Sequence, residues 1–130
     1  MPIDVTFSDD NGGVLFVGYG TLTAGEFLEA RKELYRAAEQ APQIRYQIVD
    51  LMGVDGVVAS NADIAAIAEL DLHAAPAHPH MIIAVAAAWD LPFGLARMWE
   101  TLVQDSGLTT RVCRSREEAE DWVKAELPPT

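Results

Sequence analysis

The sequence predicts one α/β domain spanning residues 1–130: a single mixed, mostly parallel sheet of about five strands, opened by an antiparallel hairpin and covered by about four helices. Three observations lead there. Apolar runs of strand length alternate with helix-period segments after the first hairpin. Three of those helical segments open with a capping sequence. Half of the 130 residues are hydrophobic, enough to close one core.

Residues 3–7 alternate apolar and polar side chains, and residues 13–19 form a second run rich in Val, Leu and Phe. Asp9-Asp10-Asn11-Gly12 between them supplies turn residues that tolerate positive φ, so a hairpin is expected. Thr23-Ala24-Gly25-Glu26 has the capping-box form and starts a helix to about residue 40, with Phe27, Leu34 and Ala38 on its apolar face, Leu28 and Tyr35 beside them, and Pro42 as the stop. Residues 46–52 give a third strand. Ser60-Asn61-Ala62-Asp63 caps a second helix running to about residue 72, apolar around most of its girth, which implies a buried helix or one that presents a face to a partner.

Residues 80–88 are continuously apolar, the pattern of an interior strand covered on both faces. Asp90 is placed to cap a third helix, whose Leu91, Leu95, Met98 and Leu102 recur at helical spacing and mark its expected inner side, with Ser106-Gly107 ending it. Residues 110–113 form a short last strand. Ser115-Arg116-Glu117-Glu118 then opens a final helix carrying Ala119, Trp122, Val123 and Leu127, before Pro128 and Pro129.

Twenty acidic against nine basic residues give a net charge of −11, which repels phosphate backbones and anionic head groups, so no nucleic-acid partner is expected. The basic groups Arg31, Lys32 and Arg36, and Arg111, Arg114 and Arg116, each lie among acids and read as paired, solvated charge. The longest uncharged apolar stretch, residues 81–89, is far below bilayer length, so no membrane insertion is expected. One cysteine, Cys113, excludes an internal disulfide, and with no secretory pattern at the N-terminus a cytoplasmic location is expected.

Two stretches carry a family resemblance. Ile48-Val49-Asp50-Leu51-Met52-Gly53-Val54, then a loop and Ser60 at a helix start, is similar to the STAS domains, the sulfate-transporter and anti-sigma-factor-antagonist modules. Residues 89–98, with the run Phe93-Gly94-Leu95-Ala96-Arg97, followed by Arg114-Ser115-Arg116-Glu117-Glu118-Ala119 and Trp122, resemble the bacterial stand-alone branch called SpoIIAA-like. The resemblance implies a small regulatory module that binds a partner protein, in the antagonist branch under control of serine phosphorylation. Val58-Ala59-Ser60-Asn61 stands here in place of the usual Asp-Ser-Ser-Gly. The stand-alone branch is also similar in outline to apolar-ligand carriers.

Ser60 is the candidate phosphoacceptor, since a helix N-terminus tolerates added negative charge; the same position suits an ordinary N-cap. Ile64, Ile67, Trp89, Phe93, Arg97 and Trp99 form the candidate ligand or partner surface, with Arg97 either paired to Glu100 or Asp90 or holding an anionic head group. Asp71, His73, His78 and His80 lie within ten residues and offer nitrogen and oxygen ligands to zinc or a similar ion, a weak signal because no two histidines have helical pair spacing; surface histidines of a loop are expected, with no metal and no cofactor. No Cys-His, Ser-His-Asp or phosphate-loop pattern occurs, and Gly18-Tyr19-Gly20 lacks the third glycine of a nucleotide fingerprint. A non-catalytic STAS-like interaction module, whose protein partners include a second copy of itself as a homodimer, is the expected function; the alternative is a carrier or sensor of a small apolar, lipid-like ligand.

Overall fold

A computed structural model describes residues 3–8, 12–39 and 44–128. Its strands are β1 (Ile3–Phe7), β2 (Gly13–Thr23), β3 (Tyr46–Val58), β4 (Ile82–Ala86) and β5 (Thr109–Cys113), and its helices are α1 (Ala24–Ala38), α2 (Asn61–Ala74), α3 (Asp90–Val103) and α4 (Arg116–Glu126). The expected hairpin turn at residues 9–11, Pro42 and Pro129 lie outside the described residues.

The five strands form one sheet in chain order. β1 pairs antiparallel with β2, and every later pairing is parallel. α1, α2 and α3 cover one face in sequence, while α4 packs on the opposite face against β3, β4 and β5. β4 shows why its sequence is apolar throughout: Ile83 and Val85 point into the three-helix core, Ile82, Ala84 and Ala86 into the core beneath α4.

The caps form as the sequence suggests at α1 and α2, where Thr23 with Glu26 and Ser60 with Asp63 close reciprocal capping boxes. At α4, Ser115 Oγ accepts from the Glu118 N–H, but the Glu118 carboxylate turns to the Arg114 N–H instead of closing the box. Asp90 does not cap α3. The N-cap is Trp89, without a side-chain hydrogen bond; Asp90 is the first helical residue and pairs at 3.4 Å with Arg114.

β3 runs beyond its expected end at residue 52. Only residues 46–50 pair with β4, while the strand continues alongside β2 through Val58. Two register shifts in β2, one on each side of the Tyr19-Gly20 step, bend this overhang, and Gly20 takes φ 62°, a left-handed conformation that glycine adopts without strain. The overhang arches past the sheet and becomes one wall of the cavity described next.

α3 is rotated from its expected orientation by one residue. Its buried positions are Pro92, Ala96, Trp99 and Val103, whereas Leu91 and Leu102 are 45% and 44% exposed and Leu95 and Met98 half-buried. Both series have the same helical spacing, so periodicity cannot separate them. Trp99 decides, because its ring and its N–H both find buried partners on the inner side.

Candidate functional site: an apolar cavity with a buried polar floor

The helices of the three-helix layer run back against the parallel strands, so their N-termini gather at the carboxyl ends of the strands, where open α/β sheets hold ligands. A cavity of about 90 Å³ lies there. Leu22, Thr23, Leu51, Val57 and Ala59 from the overhang and its loops form one wall; Phe27, Ile64, Ile67, Pro92, Leu95 and Ala96 line the helical side; Val49 and Val85 come from the sheet. Thr23, Leu51, Val57, Ala59 and Leu95 are half-buried and mark the mouth, whereas Ile64, Ile67, Val49 and Val85 are buried.

At the inner end the lining reaches Arg31 and Trp99, and polarity begins. Arg31 is 1% exposed and Asp71 fully buried. The Asp71 carboxylate accepts three hydrogen bonds: from Arg31 Nη1 at 2.8 Å, the Trp99 indole N–H at 2.8 Å and the Tyr35 hydroxyl at 2.6 Å. Three donors, one of them cationic, are what a buried carboxylate requires. Tyr35 has its only proton on Asp71, so it accepts from Gln47, whose Nε2 donates at 3.0 Å. Burial first, and the Asp71 charge second, raise the Tyr35 pKa far above the ordinary phenol range. The Arg31 guanidinium lies 4.6 Å from the Phe27 ring centroid and 5.4 Å from that of Phe16. Its Nε and Nη2 have no hydrogen-bond partner among the described residues.

No protein-family model matches the chain, and no curated protein does. Among solved structures, an uncharacterised protein from the DUF3478 family with a SpoIIAA-like fold, from Shewanella loihica, is similar at a TM-score of 0.58 and 19% identity, over 93% of this chain and 91% of that one. The chain has a SpoIIAA-like fold.

Within this SpoIIAA-like fold the residues singled out by sequence are divided among four places. Ile64, Ile67 and Trp99 line the cavity. Trp89 and Phe93 lie outside it: the Trp89 N–H donates to the Val54 carbonyl at 2.8 Å and pins the start of α3 to β3, and the Phe93 ring lies under the Arg114 guanidinium at 3.6 Å. Arg97 points to solvent and pairs with Glu100 at 3.4 Å, away from the cavity. Ser60 is exposed at the head of α2, its hydroxyl accepting the Asp63 N–H at 3.1 Å while Asp63 takes the Ser60 N–H at 2.8 Å.

The histidines do not form one loop cluster. His73 is exposed near the end of α2 and His80 is exposed in the turn before β4 with φ 64°, but His78 is buried and stacked on Tyr35 at 6.1 Å, correcting its reading as a surface group. Burial lowers its pKa, so the neutral ring is favoured. Among the described residues no three His, Cys, Asp or Glu side chains are arranged to hold a metal. Cys113 is buried, and burial raises its thiol pKa.

Arg31 is the site residue that the sequence conceals. Its neighbours Lys32 and Arg36 do pair with Glu29 and Glu33 on the surface, but Arg31 turns inward. One signal was available: Phe27, Arg31, Leu34 and Tyr35 share the spacing of the buried face. No helix among the described residues is long and apolar enough to cross a membrane.

Proposed function

We propose that this SpoIIAA-like chain is a non-catalytic binding module that takes a small apolar molecule into the cavity at the carboxyl end of its sheet. The cavity itself carries this reading. A concave apolar pocket of about 90 Å³ that opens to solvent leaves its lining against water, and an apolar ligand seated there removes that surface from water. The polar groups beyond Trp99 bond chiefly to one another, an arrangement that supports binding and orientation more than turnover. Native mass spectrometry of gently purified protein, followed by calorimetric titration with short alkyl compounds, tests the reading. Ala96→Leu fills the space from α3: it is expected to raise the melting temperature and abolish uptake. Unchanged uptake in Ala96→Leu, or no uptake by the unaltered chain, would sink the proposal.

A second reading, a protein-interaction module, rests on the exposed stripe of Leu91 and Leu102 with half-buried Leu95 and Met98 on α3. Leu95 belongs both to that stripe and to the cavity mouth, so occupancy and surface recognition are adjacent. A partner protein, or a second copy of the chain, fits this surface.

A further inference from the structure

We infer that the ligand carries a carboxylate, and that the free edge of Arg31 receives it at the inner end of the cavity. This rests on the cavity being a binding site, and it names what enters head first.

A guanidinium has five N–H donors in a fixed plane. Nη1 faces Asp71 at 2.8 Å. Nε and Nη2, the two nitrogens whose N–H bonds run side by side along the other edge, are buried and have no partner among the described residues, although Arg31 is one of the residues lining the cavity. Buried donors are normally paired, and those of a charged group most of all. Two parallel N–H bonds match the two oxygens of a carboxylate, which is the recognition that arginine supplies and lysine does not.

Asp71 does not answer this need. Its own charge is met by Arg31, Tyr35 and Trp99, and it occupies a different edge of the guanidinium. The aromatic rings of Phe27, Phe16 and Trp99 lie 4.6, 5.4 and 5.9 Å from the guanidinium carbon and attract the cation, but none of them supplies an oxygen acceptor. The rest of the wall is apolar: Phe27, Ile64, Ile67 and Leu95 lead from Arg31 to the mouth. A head held inside with an alkyl tail running outward follows. A cavity of about 150 Å³ accommodates benzene, so about 90 Å³ holds roughly four heavy atoms, the head and first carbons of an acid whose tail reaches the mouth.

The test is a matched series on the unaltered protein at neutral pH: hexanoate, 1-hexanol and methyl hexanoate by calorimetry, with the Arg31 Nε–H followed by NMR. Hexanoate is expected to bind about tenfold or more tighter than the alcohol or ester, since a bond to a charged group exceeds a neutral one by that order, and to move the Arg31 resonance. Arg31→Lys keeps the positive charge and removes the two-donor edge, so hexanoate should lose most of its advantage over the alcohol, the ratio of the two affinities being the quantity read. Should Arg31→Lys fail to fold, the series on the unaltered protein decides alone. Equal binding of all three compounds, or acid binding without a shift of the Arg31 signal, overturns the carboxylate assignment and leaves an apolar cavity site standing. If none of the three binds, the cavity reading fails with it.

Discussion

Arg31 on α1 and Asp71 on α2, forty positions apart, meet at 2.8 Å with both side chains out of solvent, and this pair ties the two helices across the inner end of the cavity. Removing one member leaves the other charged and buried. Asp71→Ala is expected to lower stability by about 3–5 kcal/mol in urea denaturation, whereas Arg31→Met with Asp71→Leu should lose much less than the single change, because neither charge is then stranded. A double variant as unstable as Asp71→Ala would contradict this.

Tyr35 gives the fold an alkaline limit. Its pKa is raised above the ordinary 10.0, so the folded state holds the phenol proton that the unfolded chain releases. The stability from this group is present below pH 10.0 and declines as pH rises beyond it. Tyrosinate absorbance should show one phenol that ionises only on unfolding. Tyr35→Phe should flatten the alkaline decline while losing about 1–3 kcal/mol at neutral pH, because Asp71 loses a donor.

His78 acts at the other end of the scale. Burial lowers its pKa below the ordinary 6.5, so the unfolded chain takes up the proton more readily. The contribution is present above pH 6.5 and is lost as pH falls from there through the lowered folded value. Denaturation midpoints over that acid window should drop less steeply in His78→Gln than in the unaltered chain. Parallel slopes would show that His78 does not titrate differently in the two states.

Ser60 can be tested as a cap. Ser60→Ala should cost about 1 kcal/mol, and Ser60→Asp, which preserves an N-cap acceptor, only a few tenths. If phosphorylation of this serine is a switch, Ser60→Asp should also change partner binding while leaving stability nearly intact; a cap alone predicts no such change.

Gly13 is fixed by close approach. A Cβ there would lie 2.1 Å from the Tyr46 ring, so Gly13→Ala is expected to lose about 1–3 kcal/mol in thermal or urea unfolding, through displacement of Tyr46 or of the β2 backbone.

The alternation of strand and helix was legible because each βα unit carries its own local signals, from the Thr23 and Ser60 caps to the unbroken apolar run of β4. The orientation of α3 was not. Leu91, Leu95, Met98 and Leu102 have the same period as Pro92, Ala96, Trp99 and Val103, and a hydrogen bond from Trp99 to a residue in another helix decides between them. Arg31 and Asp71 escaped for the same reason: one looked like a surface cation and the other like a weak metal ligand, and their partnership spans forty positions. The length of β3 was hidden because Gly53, Asp55 and Gly56 read as loop, whereas the bulged β2 beside them sustains the ladder.

The sheet separates two interiors. Ile83 and Val85 serve one, Ile82, Ala84 and Ala86 the other, and α4 alone closes the second with Ala119 and Val123. Changes beneath α4 should therefore add to changes around the cavity with little coupling, since the buried residues of the two sides fall in separate clusters among the described residues. Binding specificity can drift on one side of this molecule while the other side keeps it folded.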